Sequence, residues 1–165
     1  MKSNSGRSLS QPSFAMQIVL YQPRIPPNTG SVARLCAATD TVLNLVGPLG
    51  FSLDDKHLKR AGLDYWSHVQ VRTWDNWDDF IHKLPENSRL IMTSARKGIS
   101  YPKHCYKPND HLVFGPETWG LPDSIIDQGN TLIRIPIWGQ VRSLNLANAV
   151  AIVLYEGYRQ MGKLS

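Results

Sequence analysis

The feature that most constrains the fold of this chain is a regular alternation of short apolar runs with stretches of helical periodicity. The predicted strands are the apolar runs at residues 18–21, 42–46, 69–72, 89–93, 111–114 and 132–135. The predicted helices cover residues 30–38, 54–60, 73–83 and 144–161. Strands that alternate with helices form parallel sheets covered on both faces. The sequence therefore predicts an α/β fold, a mostly parallel sheet with helices on both faces.

The length and composition are those of one globular domain. A chain of 165 residues, 42% hydrophobic and 19% charged, can bury a core without disulfides or metals. Residues 1–15 are rich in Ser, Asn and Gln, carry no acid and show no hydrophobic period. We predict a disordered tail there and a single domain over residues 16–165.

The apolar runs and the cysteines argue against several classes of protein. No apolar run approaches the roughly 20 residues that cross a bilayer, so we expect no membrane partner. The two cysteines, Cys36 and Cys105, provide neither a disulfide framework nor a metal site. Reduced thiols are typical of intracellular proteins, and we expect a cytoplasmic protein without a metal.

The net charge of +5 and the isoelectric point near 9.4 suit a polyanionic partner such as nucleic acid. Many basic proteins bind no nucleic acid, so the charge by itself does not decide the function. Clustered cations are either contacts to RNA phosphates or a solvated face. The candidates for RNA binding are Lys56, Lys59, Arg60, Arg96 with Lys97, and Arg142.

The predicted helix over residues 73–83 has Thr73 in position to cap it. Trp74, Trp77, Phe80 and Ile81 recur along it at helical spacing. That spacing favours packing of these side chains in the core over a platform on which bases stack.

The first half of the last predicted helix has almost no polar face. A helix that is apolar all round must be covered all round, either by a second subunit or by a central position in the fold. We predict a homodimer. Ser143 is placed to cap this helix, and Gly162 stands where a left-handed residue is expected at its end.

Three segments have compositions that folding alone does not require. In the first, residues 26–30 read Pro-Pro-Asn-Thr-Gly, and Arg34 follows about one helical turn on. Asn28 or Thr29 can cap the helix, whose first N–H groups suit an anion, and Arg34 adds further donors. The alternative is an ordinary capped helix with a surface arginine.

The second segment, residues 114–122, follows a predicted strand and reads Phe-Gly-Pro-Glu-Thr-Trp-Gly-Leu-Pro. Gly115 and Gly120 bracket Glu117 at the carboxyl end of a strand, where open α/β sheets bind ligands and where glycine lets backbone approach a ligand. The alternative is a simple connecting loop. No G-x-G-x-x-G fingerprint follows any strand, which argues against a nucleotide-dependent oxidoreductase.

The third segment, residues 134–149, reads Arg-Ile-Pro-Ile, a loop, and then Arg-Ser-Leu-Asn-Leu-Ala-Asn-Ala. Asn145 and Asn148 are conspicuous in an otherwise apolar helix because a buried amide must find partners. One interpretation is that these two amides hold a loop or a ligand. The other is that they cap the helix and make hydrogen bonds in the core.

In this order, each after a strand, the three segments resemble those of the SpoU–TrmD (SPOUT) superfamily of RNA methyltransferases. The resemblance is strongest to its small single-domain branch, which 2′-O-methylates the wobble nucleotide, cytidine or uridine 34, of certain tRNAs. It extends to residues 48–55 and 60–65 and covers nearly everything after Met16. This resemblance implies methyl transfer from S-adenosyl-L-methionine to a ribose 2′-hydroxyl, with tRNA as partner.

The resemblance also implies a C-terminal trefoil knot, which periodicity does not predict because knots are nearly absent from proteins. The knot loops of such proteins hold the cofactor in a bent form at the dimer interface. Adenine suits an apolar slot with backbone donors and acceptors at its edge. The implied cofactor-binding residues are Thr93, Gly115, Gly120, Ile135, Ile137, Ser143, Leu144 and Asn145.

The same resemblance names Arg34 as the candidate for activating the ribose hydroxyl. Because arginine is a poor base, we expect Arg34 to orient the adjacent phosphate and to stabilise the developing oxyanion. Asn28 and Glu117 are expected to fix Arg34 and the motif loops, and Asn145 to position ribose. Tyr155 matches a tyrosine implicated in this branch, with a core tyrosine as the alternative.

Trp119 departs from the family pattern, in which we expect an arginine at this position. The replacement either removes a phosphate contact or lets Trp119 stack on a base. Two other functions stay open: 2′-O-methylation at another tRNA or rRNA position, and a catalytically inactive RNA-binding module.

Overall fold

The computed structural model describes residues 15–62 and 65–165, so residues 1–14 of the predicted tail and residues 63–64 of the 60–65 segment lie outside it. The strands are β1 (Gln17–Tyr21), β2 (Val42–Val46), β3 (Val71–Trp74), β4 (Arg89–Ser94), β5 (Ile99–Ser100), β6 (Asp110–Phe114) and β7 (Thr131–Arg134). The helices are α1 (Pro26–Thr39), α2 (Lys56–Gly62), α3 (Trp77–His82), α4 (Asp123–Ile126) and α5 (Leu146–Gln160).

The strands form one seven-stranded sheet in the order β3-β2-β1-β6-β4-β7-β5, and every neighbouring pair is parallel. The predicted α/β class is confirmed. In the second half of the chain the order of the strands in the sheet differs from their order in sequence. β6 lies between β1 and β4, and β7 lies between β4 and β5. The carboxyl ends of β4, β6 and β7 are therefore adjacent, although the loops that follow them are far apart in sequence.

Alternate residues of the strands face two separate apolar cores, because side chains of a strand point to opposite faces in turn. On β1, Ile18 and Leu20 belong to the core under α1 and α5, whereas Val19 belongs to the core under α3 and α4. Helices thus cover both faces of the sheet, as predicted. The strands read as nearly continuous apolar runs because both of their faces are buried.

The aromatic residues predicted to pack in the core do so. Trp77 and Phe80 are buried in α3, and Trp74 and Ile81 pack against the same core. Thr73 does not cap this helix: it lies in β3 and pairs with Leu45 of β2. Because β3 extends through Trp74 to complete the ladder with β2, α3 begins later, and its cap is Asn76, whose side chain accepts a 2.9 Å hydrogen bond from the Asp79 N–H.

The two helices next to the motif segments begin at different residues from those predicted. α1 begins at Pro26 instead of residue 30, because a proline lacks the N–H that is unused in the first helical turn. Asn28 and Thr29 therefore lie inside the first turn and do not cap it. α5 is capped by Asn145 and not by Ser143. Its predicted end is confirmed, since Gly162 follows it with φ +73°.

One side of α5 packs on the sheet and the other is exposed. Val150, Val153 and Leu154 are buried, whereas Ile152 and Tyr155 are 36% and 43% exposed. The alternative of a core Tyr155 is therefore wrong for this chain. So is the expectation that Asn148 is a buried amide, because Asn148 is exposed and its backbone N–H bonds to the Asn145 side chain. The chain does not cover α5 all round, and the homodimer stays a prediction.

Two short elements, β5 and α4, were not predicted, because two and four residues are too few to show a period. Among the described residues, no helix is both long enough and apolar enough to span a membrane. The knotted threading of the C-terminal part stays a prediction.

Candidate active site

A cavity of about 390 Å³ opens at the carboxyl ends of β4, β6 and β7. This is the edge at which open parallel sheets bind ligands, because the loops that leave neighbouring strands diverge there. The lining contains most of the residues that the resemblance assigns to the cofactor: Thr93, Gly115, Gly120, Ile135, Ile137, Ser143 and Leu144. Asn145, also assigned to the cofactor, is not among the lining residues of the described chain.

The chemistry of this lining suits a ligand that joins an aromatic ring to polar groups. Ile135, Ile137 and Leu144 form an apolar wall. The Thr93 hydroxyl donates a 2.8 Å hydrogen bond to the Val113 carbonyl, which leaves its oxygen free to accept another. The volume lies within the few hundred to about 1,000 Å³ typical of small-molecule sites. The residues present therefore fit the adenosyl group of S-adenosyl-L-methionine.

The loop between β6 and α4 closes tightly on itself. The Gly120 N–H donates a 2.9 Å hydrogen bond to the Pro116 carbonyl. A Cβ on Gly115 would lie 2.3 Å from the Gly120 carbonyl carbon and 2.3 Å from the Leu121 nitrogen. Backbone packing within the loop thus already requires glycine at position 115, and the expected approach of a ligand to this backbone stays a prediction. Gly120 adopts φ +72°, a conformation that favours glycine.

The carboxylate of Glu117 holds the start of α1. Its oxygens accept backbone hydrogen bonds from Arg24 at 3.0 Å and from Ile25 at 3.1 Å, and a side-chain hydrogen bond from Asn28 at 3.4 Å. The N–H groups of Asn28 and Thr29 are directed to the Ile25 carbonyl. We expected the free N–H groups at the start of α1 to bind an anion from outside the chain. That expectation is wrong, since the Glu117 carboxylate already occupies this position.

A second contact extends this arrangement to α5. The Asn145 side-chain N–H donates a 2.9 Å hydrogen bond to the Asn28 side-chain oxygen. The Asn145 oxygen accepts from the N–H groups of Ala147 at 2.9 Å and Asn148 at 3.3 Å. Hydrogen bonds among Glu117, Asn28 and Asn145 thus join all three motif segments. Of these residues only Glu117 lines the cavity within the described chain, and the other two support the segments around it.

Arg34 lies apart from the cavity. Its side chain is exposed, and its guanidinium sits 4.8 Å from the centroid of the Tyr65 ring. Among the described residues its side chain makes no salt bridge. Tyr155 is also absent from the cavity lining within the described residues. The single chain does not bring these two predicted catalytic side chains to the cofactor residues.

The predicted RNA-binding cations divide into two groups. Arg96, Lys97 and Arg142 line the cavity, whereas Lys56, Lys59 and Arg60 are exposed on α2, which packs beside α1. Lys97 pairs with Asp123 at 3.7 Å and Lys59 with Asp54 at 3.9 Å. Exposed pairs of this kind stabilise little, because water screens both charges.

Among the described residues, the groups whose pKa values are shifted do not line the cavity. At the amino ends of β4 and β6, burial alone would raise the pKa of Asp110, but hydrogen bonds from His104, Arg89 and the Lys107 N–H hold it below its ordinary value. Burial raises the pKa of the Cys36 thiol to about 12, so this cysteine is inert. Within the described chain no cluster of three His, Cys, Asp or Glu side chains has the spacing of a metal site.

These features match one known family throughout. The model of the SpoU rRNA methylase family matches residues 15–155. The chain belongs to this family. The predicted resemblance is confirmed, and the doubly wound oxidoreductase is excluded as an alternative.

Two relatives of this SpoU methylase show how far the similarity extends. The tRNA (cytidine(34)-2'-O)-methyltransferase of Methylovorus glucosotrophus is 47% identical over 145 residues, which cover 87% of this chain and 94% of the relative. The protein of the same name from Escherichia coli K12 is 45% identical over 152 residues, which cover 89% of this chain and 94% of the relative.

Solved structures agree in fold. A structure described as concerning the 2-OH methylation of C/U34 on tRNA superposes with a TM-score of 0.87 at 45% identity, over 91% of this chain and 98% of the other. An AdoMet-bound rRNA methyltransferase from Sinorhizobium meliloti superposes with a TM-score of 0.81 at 27% identity, over 89% of this chain and 57% of the other.

Besides the Asn28–Asn145 contact, two pairings of a cationic with an aromatic side chain were not predicted from the sequence. One places Tyr65 under Arg34, and the other places Arg24 4.9 Å from the centroid of the Trp119 ring. Both pairs are far apart in sequence, and no periodicity relates their members. The aromatic and cationic composition of these segments was visible, but the pairing depends on the fold.

Proposed function

We propose that this protein transfers a methyl group from S-adenosyl-L-methionine to the ribose 2′-hydroxyl of nucleotide 34 in the tRNA anticodon loop. The observation that carries the proposal is identity of 45–47% to tRNA (cytidine(34)-2'-O)-methyltransferases over nearly their full length.

The cofactor residues of this proposal are the cavity-lining ones. Ile135, Ile137 and Leu144 would enclose the adenine ring, and Thr93 and Ser143 would offer polar atoms to the rest of the molecule. When bound, S-adenosyl-L-methionine supplies an electrophilic methyl group. The protein must then hold the ribose oxygen in line with that methyl, and positioning of this kind contributes much of the rate.

Proton loss from the hydroxyl is assisted by charge. Arg34 is exposed and always charged, so it can bind the neighbouring phosphate and stabilise the developing alkoxide. Asn28 and Glu117 hold the start of the helix that carries Arg34. Asn145, at the head of α5, positions ribose.

A homodimer completes this site. Arg34 and Tyr155 do not line the cavity of their own chain, so in the proposal a second copy brings them to it. The exposed side of α5 is the contact surface, because Ile152 and Tyr155 leave apolar area in water there. The knotted C-terminal segment, which the resemblance implies, would fix the cavity loops against that surface.

The tRNA partner follows from the charge as well as from the relatives. Four cationic and two acidic side chains line the cavity, in a chain of net charge +5. Cations at the mouth of such a cavity attract the phosphates that flank an unpaired nucleotide. Because both proposed substrates, tRNA and S-adenosyl-L-methionine, are available in the cytoplasm, we propose that the protein acts there.

Mass mapping of ribose methylation in tRNA tests the proposal directly. Cells with the gene should carry a 2′-O-methyl group at nucleotide 34 that is missing from cells without it. A methyl group lost from another tRNA or rRNA position would overturn the assignment of position 34 and support the broader alternative of an RNA 2′-O-methyltransferase.

Calorimetry with S-adenosylhomocysteine distinguishes the enzyme from the inactive RNA-binding module. We expect micromolar binding to the purified protein. Absence of binding at millimolar ligand, together with salt-dependent binding of tRNA, would contradict the enzyme and support the binding module.

A further inference from the structure

Trp119 is an aromatic side chain that the fold leaves in water beside the cavity. It is 62% exposed and lines the cavity mouth. The loop that carries it is rigid, because its turn is closed by the Gly120 to Pro116 hydrogen bond and Gly115 packs directly on the Gly120–Leu121 backbone. These contacts fix the position from which the indole leaves the backbone.

Arg24 covers one face of this indole. Its guanidinium carbon lies 4.9 Å from the ring centroid. The backbone of Arg24 is itself fixed, since its N–H donates to Glu117 and its Cα is so close to Gly50 that a Cβ there would lie 2.8 Å away. The backbone that carries each member of the pair is therefore held in place, and most of the remaining indole surface is open to solvent.

We propose that the Arg24–Trp119 pair is a stacking platform for an unpaired nucleobase of the RNA substrate, adjacent to the nucleotide that is methylated. This inference rests on the proposed function and specifies how the same site holds its substrate. A nucleobase in a loop offers a free aromatic face, and aromatic side chains at the mouth of a basic cavity bind such faces. The cation on the far side of the indole attracts the RNA phosphates as well.

The charges around the pair favour RNA over a second copy of this basic chain. Arg96 and Arg142 line the same cavity mouth. Of the two acidic side chains in the lining, Asp123 pairs with Lys97 and Glu117 is engaged by backbone N–H groups. The net field at Trp119 is therefore positive, which suits a polyanion.

Fluorescence of 2-aminopurine tests the platform without depending on turnover. The probe is placed at each of the two nucleotides that flank nucleotide 34 in an anticodon stem-loop, and the full-length protein is titrated with S-adenosylhomocysteine present. We expect quenching at one of the two positions. Trp119→Ala should abolish that quenching and weaken binding of the stem-loop by about tenfold, within the range of one base–aromatic stack. Trp119→Phe, which keeps a ring, should restore most of both.

Trp138 provides the matched control, because it is 93% exposed and is not a lining residue of the described chain. Trp138→Ala should leave quenching and binding within about twofold of the unmodified protein. Arg24→Met, which keeps the aliphatic stem, should weaken binding about threefold.

Four results would overturn the platform. Two concern RNA binding: unchanged quenching in Trp119→Ala, and a loss of quenching and binding in Trp138→Ala equal to that in Trp119→Ala. The other two concern Trp119→Ala itself: dissociation of the homodimer in sedimentation, and a loss of S-adenosylhomocysteine affinity as large as its loss of stem-loop affinity. If the unmodified protein binds the stem-loop with quenching but produces no methyl group at nucleotide 34, the proposed function fails and the platform stands.

Discussion

Asn28 and Asn145 meet side chain to side chain at 2.9 Å, although 117 residues separate them in the chain. Asn28 lies in the first turn of α1, and Asn145 is the residue that caps α5. Through Glu117, which accepts from Asn28, the same contact reaches the loop after β6. The three motif segments are thus one hydrogen-bonded unit, and a change at Asn145 affects both the stability of α5 and the geometry of the site.

Two substitutions at Asn145 separate these effects. Asn145→Ala removes the oxygen that caps α5 and should lower the free energy of unfolding by about 1–2 kcal/mol. Asn145→Asp keeps a capping oxygen but loses the N–H that donates to Asn28, so it should unfold near the unmodified midpoint while its methylation rate falls at least tenfold. Urea unfolding and methyl incorporation measure the two effects. Full activity in Asn145→Asp would exclude a role for the Asn28 contact.

Arg34→Ala should nearly abolish methyl transfer while S-adenosylhomocysteine affinity stays within a few-fold, because in our proposal Arg34 contacts the RNA phosphate and the ribose oxygen and not the cofactor. Tyr65 supports the guanidinium through its ring, so Tyr65→Leu should lower kcat about fivefold and Tyr65→Phe should not. In the Arg34→Ala background, Tyr65→Leu should have no further effect. Unchanged turnover in Arg34→Ala would remove this residue from the mechanism.

Gly115→Ala should destabilise the loop after β6, since the added methyl would lie 2.3 Å from two backbone atoms of residues 120–121. Overpacking against backbone costs about 1–3 kcal/mol or more, and the cavity wall would shift. We expect a lower melting temperature and a loss of S-adenosylhomocysteine binding. Gly139→Ala is the control, because no heavy atom lies within 4 Å of its added Cβ. Equal melting temperatures for the two variants would contradict the packing argument.

The stability of the fold should decrease as the pH falls below about 6.5, in part because of His111. Burial lowers the pKa of this imidazole from its ordinary value of 6.5, outweighing the hydrogen bond to the Asn109 carbonyl. The unfolded chain then binds a proton more readily than the folded one, so protonation favours unfolding. His111→Gln removes this titration and should flatten the dependence of the urea midpoint on pH between 5 and 7. Parallel curves for the two proteins would contradict it.

The exposed stripe of α5 predicts the effect of a charge at its centre. Ile152→Glu should convert the proposed dimer into a monomer at micromolar concentration, because a carboxylate would be buried without a partner. Leu164→Glu introduces the same charge at an exposed position beyond the helix and should leave the dimer intact. Sedimentation velocity measures both. A monomeric unmodified protein would contradict our account of this surface.

Much of the architecture could be predicted because local sequence determines it. The apolar runs of β1, β2, β4 and β6 are buried on both faces, so their composition alone indicates a parallel sheet with helices on either side. The family could be predicted for a similar reason, since its motifs are contiguous segments that stand in chain order.

The helix starts and the caps could not be predicted with the same accuracy. More than one residue able to cap a helix stands before α3 and before α5, and tertiary contacts choose among them. Asn76 caps α3 because Thr73 is part of β3 and pairs with β2. Asn145 caps α5 and at the same time donates a hydrogen bond to Asn28.

The sequence by itself determined the α/β class, the family and the composition of the cavity wall, because each of these depends on residues that are contiguous in the chain. Only the tertiary structure decided which side chains meet: Glu117 at the start of α1, Asn28 on Asn145, Tyr65 under Arg34 and Arg24 over Trp119. The interleaved strand order is the physical reason, since it brings together loops that no sequence period relates.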